Sequence, residues 1–421
     1  MSRQESCRSC GSRNLRQFLS LGETPLADAL LPPEKLAEPE PAYPLEMAFC
    51  PDCTLVQVTE NVPPQVLFVD NYLYFSSFSP SVLEHSREHA LGLIEKRRLG
   101  PGSLVVEVAS NDGYLLKNFA ERGIPVLGID PAPDQAAAAE AIGVPTLREF
   151  FGIEFAERLR AEGQRADVII ANNVMAHVPD LNGFVAGLRE LVADDGVITV
   201  ENPYVRDLIE HCEFDTVYHE HHCYFSCTAV DRLVRRHGLF LNDVEYFPWL
   251  HGGTLRWHIG PNAAQTARAQ QYLADEAETG VTQAEYYESF AARVEGIRSE
   301  LRRFIAELKA KGQRVAAYGA AAKGATLLNY SGLGTESIDF VVDRNPHKHG
   351  LLMPGAHIPI RPVEALLDEQ PDVVLLLAWN FKDEIVRQQA EYLRRGGKLL
   401  LPVPEVSLLT FEQTRELLAA T

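Results

Sequence analysis

The chain has 421 residues and a formal net charge of −19, because 58 acidic residues outnumber 39 Lys and Arg. Nucleic-acid binding needs basic side chains that neutralise phosphates, so this charge and the lack of a basic block argue against a nucleic-acid partner. No apolar run approaches the roughly 20 residues of a membrane span, and the N-terminus lacks a signal-peptide core. We therefore expect a cytoplasmic globular protein of two or three domains, without a membrane partner.

Two matched cysteine pairs, Cys7-x-x-Cys10 and Cys50-x-x-Cys53, stand near the N-terminus. In a reducing compartment this pattern is more often a metal site than a pair of disulfides. Four thiolates complete a tetrahedral shell around Zn²⁺ and leave no open position, so the ion would be structural. Unrelated free thiols are the alternative. Residues 1–72 are rich in proline and are expected to form a zinc-binding module of short, irregular segments.

Residues 73–261 are expected to form a Rossmann-like domain, because short apolar strands alternate with helices from Ser103 onwards. Such alternation predicts a parallel sheet with helices on both faces. The predicted strands are Leu104–Ala109, Val126–Ile129, Asp167–Ala171 and Val197–Val200, and the predicted helices are Leu115–Arg122 and Asp134–Ile142. Residues 201–260 are less periodic and are rich in aromatic residues and histidine.

A charged helical connection is expected at residues 262–311, and a second doubly wound α/β domain at residues 312–421. The helical spacing of apolar residues is carried by Phe290, Val294, Ile297, Leu301, Ile305 and Leu308. The strands predicted for the second domain are Val315–Tyr318, Phe340–Val342, Val373–Ala378 and Lys398–Pro402, the last of which is expected to close the sheet.

A cofactor site is predicted at the ends of the first strands of the middle domain, where ligands of open α/β sheets bind. The dinucleotide fingerprint G-x-G-x-x-G is absent. The sequence around Glu107 instead resembles motif I of S-adenosylmethionine (SAM)-dependent methyltransferases, with Ala109 where a glycine is usual. Asp130 ends the next strand and suits the ribose hydroxyls; the alternative is that both acids are ordinary loop residues. The predicted cofactor-binding residues are Glu107, Ala109, Asn111, Asp112, Gly113, Asp130, Pro131, Asn172 and Asn173.

Histidine, tyrosine and carboxylate side chains are concentrated between His211 and Tyr224. Metal binding is one interpretation, although the helical H-E-x-x-H motif is absent. General acid–base chemistry is another, with a histidine as base and tyrosine hydroxyls that stabilise a developing oxyanion. A set of hydrogen-bonded interior residues is the third.

Ordered motifs along nearly the whole chain resemble the SAM-dependent sugar C-methyltransferases of bacterial deoxysugar and antibiotic biosynthesis. These motifs are the paired CxxC, N-Y-x-Y-F-S-S at Asn71–Ser77, S-N-D-G at Ser110–Gly113, N-N-V-x-A-H-V-P-D at Asn172–Asp180, Y-H-E-H at Tyr218–His221, H-G-G-T-L-R at His251–Arg256, Y-G-A-x-A-K-G-x-T-L-L-N-Y at Tyr318–Tyr330 and D-R-N-P-x-K-x-G at Asp343–Gly350. The resemblance implies a zinc-bearing module, a central class I methyltransferase domain and a C-terminal domain that helps to hold a nucleotide sugar. The chain departs from the family pattern at Ala109 and at His222-Cys223.

The resemblance also implies residue roles. His221 would be the catalytic base, with Tyr218, Glu220, Tyr72 and His177 around the substrate. The implied substrate-binding residues are His251, Arg256, Lys323, Asn329, Arg344 and Lys348. Lys323 stands at a glycine-containing turn before a helix, where an N-terminus and a base suit a diphosphate. The spacing is not that of a Walker A loop, and a solvated lysine is the alternative.

The expected function is SAM-dependent C-methylation of a dTDP-linked 4-keto-deoxyhexose, at C3 by the resemblance. A carbon beside a ketone is acidic only if its enolate is stabilised, which fits a base among hydrogen-bond donors. The alternatives are O- or N-methylation of another small molecule and nucleotide-sugar binding without catalysis. A zinc protein acting on RNA is disfavoured by the net charge of −19. We expect a small-molecule nucleotide-sugar partner and a monomer or small homo-oligomer.

Overall fold

The computed structural model describes residues 2–63 and 74–419. Tyr72, for which a place around the substrate is expected, lies outside the described residues. The N-terminal strands are β1 (Ser2–Arg3), β2 (Arg16–Thr24), β3 (Tyr43–Phe49), β4 (Val56–Val58) and β5 (Glu60–Asn61), with a 3-10 turn at Pro33–Lys35. Strands β2, β3 and β4 form an antiparallel sheet, and β1 pairs with β5.

The expectation of short, irregular segments was wrong for this part of the chain. Strand β2 is nine residues long and pairs with β3 over its whole length. Two register shifts in this ladder, and Pro44 within β3, interrupt the alternation of buried and exposed residues by which a strand is recognised in a sequence.

The middle part of the chain forms a seven-stranded sheet in the order β12-β13-β10-β9-β6-β7-β8. Its strands are β6 (Val105–Val108), β7 (Val126–Ile129), β8 (Thr146–Leu147), β9 (Ala166–Asn172), β10 (Val192–Pro203), β12 (Phe240–Phe247) and β13 (Thr254–Gly260). Its helices are α1 (Pro80–Arg97), α2 (Lys117–Ala120), α3 (Pro133–Ala141), α4 (Ile153–Ala161), α5 (Leu181–Leu191), α6 (Val205–Glu210) and α7 (Cys227–Arg236). The 3-10 turns are Ser76–Phe78, Met175–His177 and Phe214–Thr216.

The five neighbouring strands β10, β9, β6, β7 and β8 are parallel, as predicted. Two features differ from the predictions. Strands β12 and β13 extend the sheet with antiparallel pairing through residues that showed little periodicity, because β12 has a bulge and β13 is buried at every position. The helix predicted at Leu115–Arg122 is confined to Lys117–Ala120.

The helical connection consists of α8 (Ala267–Thr279), a 3-10 turn at Ala284–Tyr287, and α9 (Phe290–Ala310). The apolar spacing predicted for α9 is confirmed, because all six residues that carry it are buried: Phe290, Val294, Ile297, Leu301, Ile305 and Leu308. They pack into a core shared with the N-terminal and C-terminal sheets. The long helix therefore ties the ends of the chain together.

The C-terminal part is a six-stranded sheet in the order β16-β15-β14-β17-β18-β19. Its strands are β14 (Val315–Tyr318), β15 (Val341–Val342), β16 (Ile360–Arg361), β17 (Val373–Leu376), β18 (Lys398–Leu401) and β19 (Ser407–Leu409). Its helices are α10 (Ala322–Ser331), α11 (Ala365–Glu369), α12 (Lys382–Gln388), α13 (Ala390–Arg394) and α14 (Phe411–Ala419), with 3-10 turns at Pro346–Lys348 and Trp379–Phe381. The prediction that Lys398–Pro402 closes the sheet was wrong, because β19 pairs antiparallel beyond it. Within the described ranges, no helix is long and apolar enough to cross a membrane.

A buried carboxylate joins the helical connection to the middle domain. Glu276 on α8 accepts hydrogen bonds from the amides of Cys227 and Thr228, at 2.7 and 2.8 Å, in the first turn of α7. It also accepts a hydrogen bond from the Tyr204 hydroxyl at 2.9 Å. A negative charge at a helix N-terminus is stabilising, and here it satisfies amides that have no partner within the helix.

We expect Glu276→Gln to lower the free energy of unfolding by about 3 kcal/mol, because the carboxamide removes the charge and turns a donor towards buried amides. Chemical denaturation measures the change. Glu278→Gln, on the exposed side of the same helix, is the matched control and should shift stability by less than about 0.5 kcal/mol. Equal stabilities of the two variants would contradict the assigned role.

Candidate active site

A cavity of about 560 Å³ opens at the carboxyl ends of β6, β7 and β9. Parallel strands that end at one edge bring their following loops together, which is the reason that predicted residues from separate motifs meet here. The predicted site residues that line the cavity are Ala109, Asn111, Asp130, Pro131, Asn172, Asn173, His177 and His251. Its position and size fit a nucleoside cofactor.

The turn after β6 fixes both the floor and the rim of this cavity. The Asn111 amide donates to Asp130 Oδ2 at 2.8 Å, and Asn111 Oδ1 accepts from the Ser76 amide at 2.9 Å. Asp112 Oδ2 accepts from the Ser77 amide at 3.1 Å. The turn thus holds Ser76 and Ser77, which precede α1, at the edge of the cavity. Burial raises the pKa of Asp130 to about 6, so this carboxyl is ionised at neutral pH.

Left-handed backbone is concentrated around the cavity. Ala109, Asn111, Asn173 and His251 have φ of 57°, 48°, 52° and 56°. A side chain at such a φ costs energy, and strain of this kind is characteristic of functional sites. The conformation explains why glycine is usual at the position of Ala109, since only glycine adopts it without strain.

Three predicted cofactor residues, Glu107, Asp112 and Gly113, do not line the cavity. Glu107 is 1% exposed, and its Oε2 has no hydrogen-bond partner among the described residues. Burial, then the nearby Asp112 and Asp130, raises the pKa of Glu107 well above its usual range. Its role towards the cofactor stays a prediction.

The Tyr218 and His221 side chains are joined by a hydrogen bond. The Tyr218 hydroxyl lies 3.0 Å from His221 Nε2, and His221 Nδ1 lies 3.2 Å from the Thr216 carbonyl oxygen. Because a carbonyl only accepts, Nδ1 carries the proton and donates it. Nε2 therefore holds the lone pair and accepts from Tyr218. This tautomer leaves Nε2 as the basic atom.

His177 links this pair to the cofactor cavity. Its ring lines the cavity and lies 4.6 Å from the ring of His221, centre to centre. His177 Nδ1 donates to the Glu220 carbonyl oxygen at 2.7 Å. Burial, with a contribution from His177, holds the pKa of His221 well below its usual range, and burial lowers that of His177 to about 4. Both imidazoles are neutral at pH 7, as a base must be.

The neighbouring residues of this segment are also enclosed. The Glu220 carboxylate accepts from the Asp28 amide at 3.3 Å through Oε1, and burial raises its pKa to about 8. His219 Nε2 lies 3.0 Å from the Pro44 carbonyl oxygen. The metal interpretation of this segment gains no support, because the four N-terminal cysteines form the one group of clustered metal ligands within the described residues.

Contacts from the N-terminal, middle and C-terminal parts of the chain hold the segment from Phe214 to Tyr224. Strand β11 (Cys223–Tyr224) pairs with β4 of the N-terminal sheet. The His222 amide donates to the Ala176 carbonyl of the middle domain at 2.7 Å. From the C-terminal domain, Thr326 Oγ1 donates to the Val217 carbonyl at 3.0 Å, and Trp379 Nε1 donates to Asp215 Oδ2 at 2.6 Å.

Asp215, Thr326 and Trp379 were not predicted as site residues. Trp379 follows the apolar strand β17, and this strand-end position was the one available signal for it. Thr326 lies within the motif at Tyr318–Tyr330, but neither that motif nor the neighbourhood of Asp215 indicates the contacts that these two residues make, since those contacts join distant parts of the chain.

Four predicted substrate residues contact other parts of the protein. Arg256 is buried, and its Nε donates to Glu201 Oε1 at 2.6 Å. Asn329 Nδ2 donates to the Pro354 carbonyl at 2.9 Å. Arg344 pairs with Glu384 at 2.9 Å, and Lys348 Nζ donates to the Ala320 carbonyl at 2.7 Å. Their roles towards substrate stay predictions.

The four cysteines lie on two turns of the same design. In each turn the first cysteine amide donates to the residue five positions on, Ser12 or Leu55, at 2.8 Å. The residue after the second cysteine, Gly11 or Thr54, has φ of 75° or 67° and donates back to the first cysteine. The four Sγ atoms lie within 4.8 Å of one another. Cys7, Cys10, Cys50 and Cys53 therefore present the thiolate set that tetrahedral Zn²⁺ requires.

Comparisons with known families agree with this arrangement. Family models match at residues 7–68, described as "Putative zinc binding domain", at 83–242, "Methyltransferase domain", and at 249–404, "C-methyltransferase C-terminal domain". The C-methyltransferase NovU of Streptomyces niveus is 36% identical over 413 residues, which cover 97% of this chain and 98% of that protein. The chain therefore belongs to the C-methyltransferase family.

Other similarities are more partial. A ubiquinone biosynthesis O-methyltransferase of Methylobacterium sp. (strain 4-46) is 27% identical over 201 residues, 46% of this chain and 69% of that protein. The solved structure of magnesium protoporphyrin IX methyltransferase from Synechocystis PCC 6803 with bound SAM is 14% identical, with a TM-score of 0.34 over 46% of this chain and 88% of that one. That similarity is too low to support an inference.

The chain is thus a SAM-dependent C-methyltransferase that acts on a small molecule. It combines a zinc-binding N-terminal domain, a Rossmann-like methyltransferase domain and a C-terminal α/β domain. The cofactor is SAM, and the four cysteines provide the zinc site.

We expect one zinc per chain, and loss of the ion in Cys50→Ser, measured by elemental analysis. The variant should also unfold at a markedly lower temperature, since structural zinc contributes roughly 10–16 kcal/mol in isolated zinc-finger peptides. Cys212→Ala is the control, because this cysteine lies outside the cluster and its replacement should keep the zinc. A wild-type chain without zinc would contradict the assignment.

Proposed function

We propose that the chain methylates C3 of a dTDP-linked 4-keto-deoxyhexose, with His221 as the base that removes the proton beside the ketone. The observation that carries this proposal is the Tyr218–His221 pair next to the cofactor cavity. A carbon acid needs a neutral base and a donor at the ketone oxygen, and an imidazole with an unprotonated Nε2 beside a tyrosine hydroxyl provides both.

The proposed proton transfer uses only the groups of this segment. Nδ1 stays bonded to the Thr216 carbonyl and keeps the ring oriented, while Nε2 takes the proton. The Tyr218 hydroxyl leaves Nε2 before this transfer, which frees the Nε2 lone pair for the proton and lets the hydroxyl donate to the substrate ketone. Burial supports this role, because a dry site strengthens each hydrogen bond to a developing negative charge.

In this proposal the cofactor lies in the cavity beside His177. Asp130, Asn111 and Pro131 would hold its ribose end, and Asn172 and Asn173 would lie near its other groups. When bound, SAM supplies an electrophilic methyl group. The chain positions that group and excludes water from it, so the carbon beside the ketone is the nucleophile that reaches it.

The nucleotide is proposed to lie on the C-terminal domain, where strands β14 and β17 end towards the segment from Phe214 to Tyr224, called the catalytic segment below. Arg344 and Lys348 follow β15, and Lys348 already contacts the Ala320 carbonyl in the turn before α10. Both are basic groups at the carboxyl edge of an α/β sheet, which is the usual place for a phosphate ligand.

The test is a mass-spectrometric screen of nucleotide-linked 4-keto hexoses with SAM. We expect the dTDP-linked sugar to gain one methylene unit, and NMR of the product to show the new methyl group on C3. A methyl group on oxygen, or no product from any keto sugar, would reject the proposal.

We expect His221→Ala to lower kcat by roughly 10²- to 10⁴-fold, the usual contribution of a general base, with SAM affinity kept within about threefold of wild type. Steady-state kinetics and calorimetry measure the two effects. His237→Asn is the control, because this partly buried histidine contacts Asn182 at 3.0 Å and lies outside the segment. A kcat near the wild-type value in His221→Ala would exclude it as the base.

A further inference from the structure

Lys323 is an enclosed cation whose ammonium has no hydrogen-bond partner among the described residues. It lies in the first turn of α10, and its Nζ is buried and makes no hydrogen bond to any described residue. The Nζ atom lies 4.4 Å from the centre of the Trp379 ring. A buried ammonium with unused donors is costly, so this arrangement points to an acceptor from outside the chain.

The surroundings of Lys323 belong to the catalytic segment. Trp379, on which the ammonium rests, donates to Asp215 Oδ2 at 2.6 Å. One turn along α10, Thr326 holds the Val217 carbonyl. Asp215 and Val217 flank Thr216, whose carbonyl orients His221. Burial is the main cause of the lowered pKa values of His221 and His251, and the charge of Lys323 is close enough to contribute to both.

The charge around Lys323 favours one kind of acceptor over another. Asp215 and Glu213 are 0% and 4% exposed, and both interact electrostatically with Lys323. Two acids beside one ammonium would repel a dianionic diphosphate. A neutral ketone carries no such charge in the ground state, and it develops a negative oxygen only during the reaction.

We propose that the Lys323 ammonium donates a hydrogen bond to the ketone oxygen of the substrate and stabilises the enolate. This places Lys323 at the reacting centre. The diphosphate is then bound by Arg344 and Lys348. The proposal rests on the proposed function, because it requires a ketone substrate.

The electrons balance without another reactant. When His221 Nε2 takes the proton beside the ketone, the C–H pair forms the carbon–carbon double bond of the enolate and the carbonyl π pair moves to oxygen. Lys323 donates to that oxygen throughout and transfers no proton. The pair of the carbon–carbon double bond then forms the carbon–methyl bond, an oxygen pair re-forms the carbonyl, and the cofactor sulfur keeps the pair of the sulfur–methyl bond that breaks.

The experiment compares Lys323→Met and Lys323→Gln with wild type on the dTDP-linked 4-keto sugar. We expect Lys323→Met to lower kcat by roughly 10²- to 10³-fold, as for loss of one oxyanion donor, with KM and the Kd of dTDP within threefold. Exchange of the substrate α proton in D₂O without SAM should fall in the same proportion. Lys323→Gln keeps a donor and should lose less.

Controls separate this role from the alternatives. Lys311→Met, on an exposed lysine at the end of α9, should leave kcat, KM, the Kd of dTDP and the exchange rate unchanged, and SAM binding reports whether each variant is folded. If Lys323→Met does not bind SAM and is therefore misfolded, the Lys323→Gln variant is used instead. A reduced exchange rate in Lys323→Gln with an unchanged Kd for dTDP still supports the proposal. A dTDP Kd weakened tenfold or more, or retained exchange, would overturn it. Wild type that neither exchanges nor methylates any keto sugar would reject the proposed function instead.

Discussion

The attachment of one irregular segment, residues 214–224, to the N-terminal, middle and C-terminal parts of the chain is the constraint on which the site depends. This segment carries Tyr218 and His221 but has a single two-residue strand of its own. Backbone that is not in a helix or a long strand keeps its shape only through outside partners. Strand β4, the Ala176 carbonyl and the side chains of Thr326 and Trp379 supply these partners from three directions.

This attachment also determines the electrostatics of the site. With domains packed around them, His177, His221 and Lys323 lose most of their contact with water, and burial is the main cause of the lowered pKa of each. A neutral imidazole is a competent base at pH 7, whereas exposed histidine would be partly protonated. The same enclosure raises the pKa values of Asp215 and Glu213 to about 6 and 7. The net charge of −19 thus has little bearing on the site. There, the ammonium of Lys323 and the carboxyl groups of Asp215 and Glu213 lie close to neutral imidazole rings.

Much of the fold could be predicted from local pattern, and much of the site could not. Strands such as Val126–Ile129 and Val315–Tyr318, and the buried face of α9, follow from apolar periodicity that each segment carries by itself. Strands β12 and β13 were missed because a bulge and complete burial remove that periodicity. Asp215 and Trp379 are 164 residues apart, and their hydrogen bond has no signature in either neighbourhood. The resemblance indicated which motifs matter, but the contacts that orient them come from tertiary packing.

The zinc domain has a physical role in a reaction that the ion itself does not touch. Residues 2–63 form a small sheet with two register shifts between β2 and β3, and so small a unit has little core of its own with which to fix its shape. Yet β4 must lie accurately, because it pairs with β11 only two residues beyond His221. Misplacement of a catalytic group by about 1 Å can reduce a rate about 100-fold. A tetrahedral ion that joins the turn at Cys7 to the turn at Cys50 supplies the rigidity that the apolar core lacks, and strand pairing transmits it to the proposed base, His221.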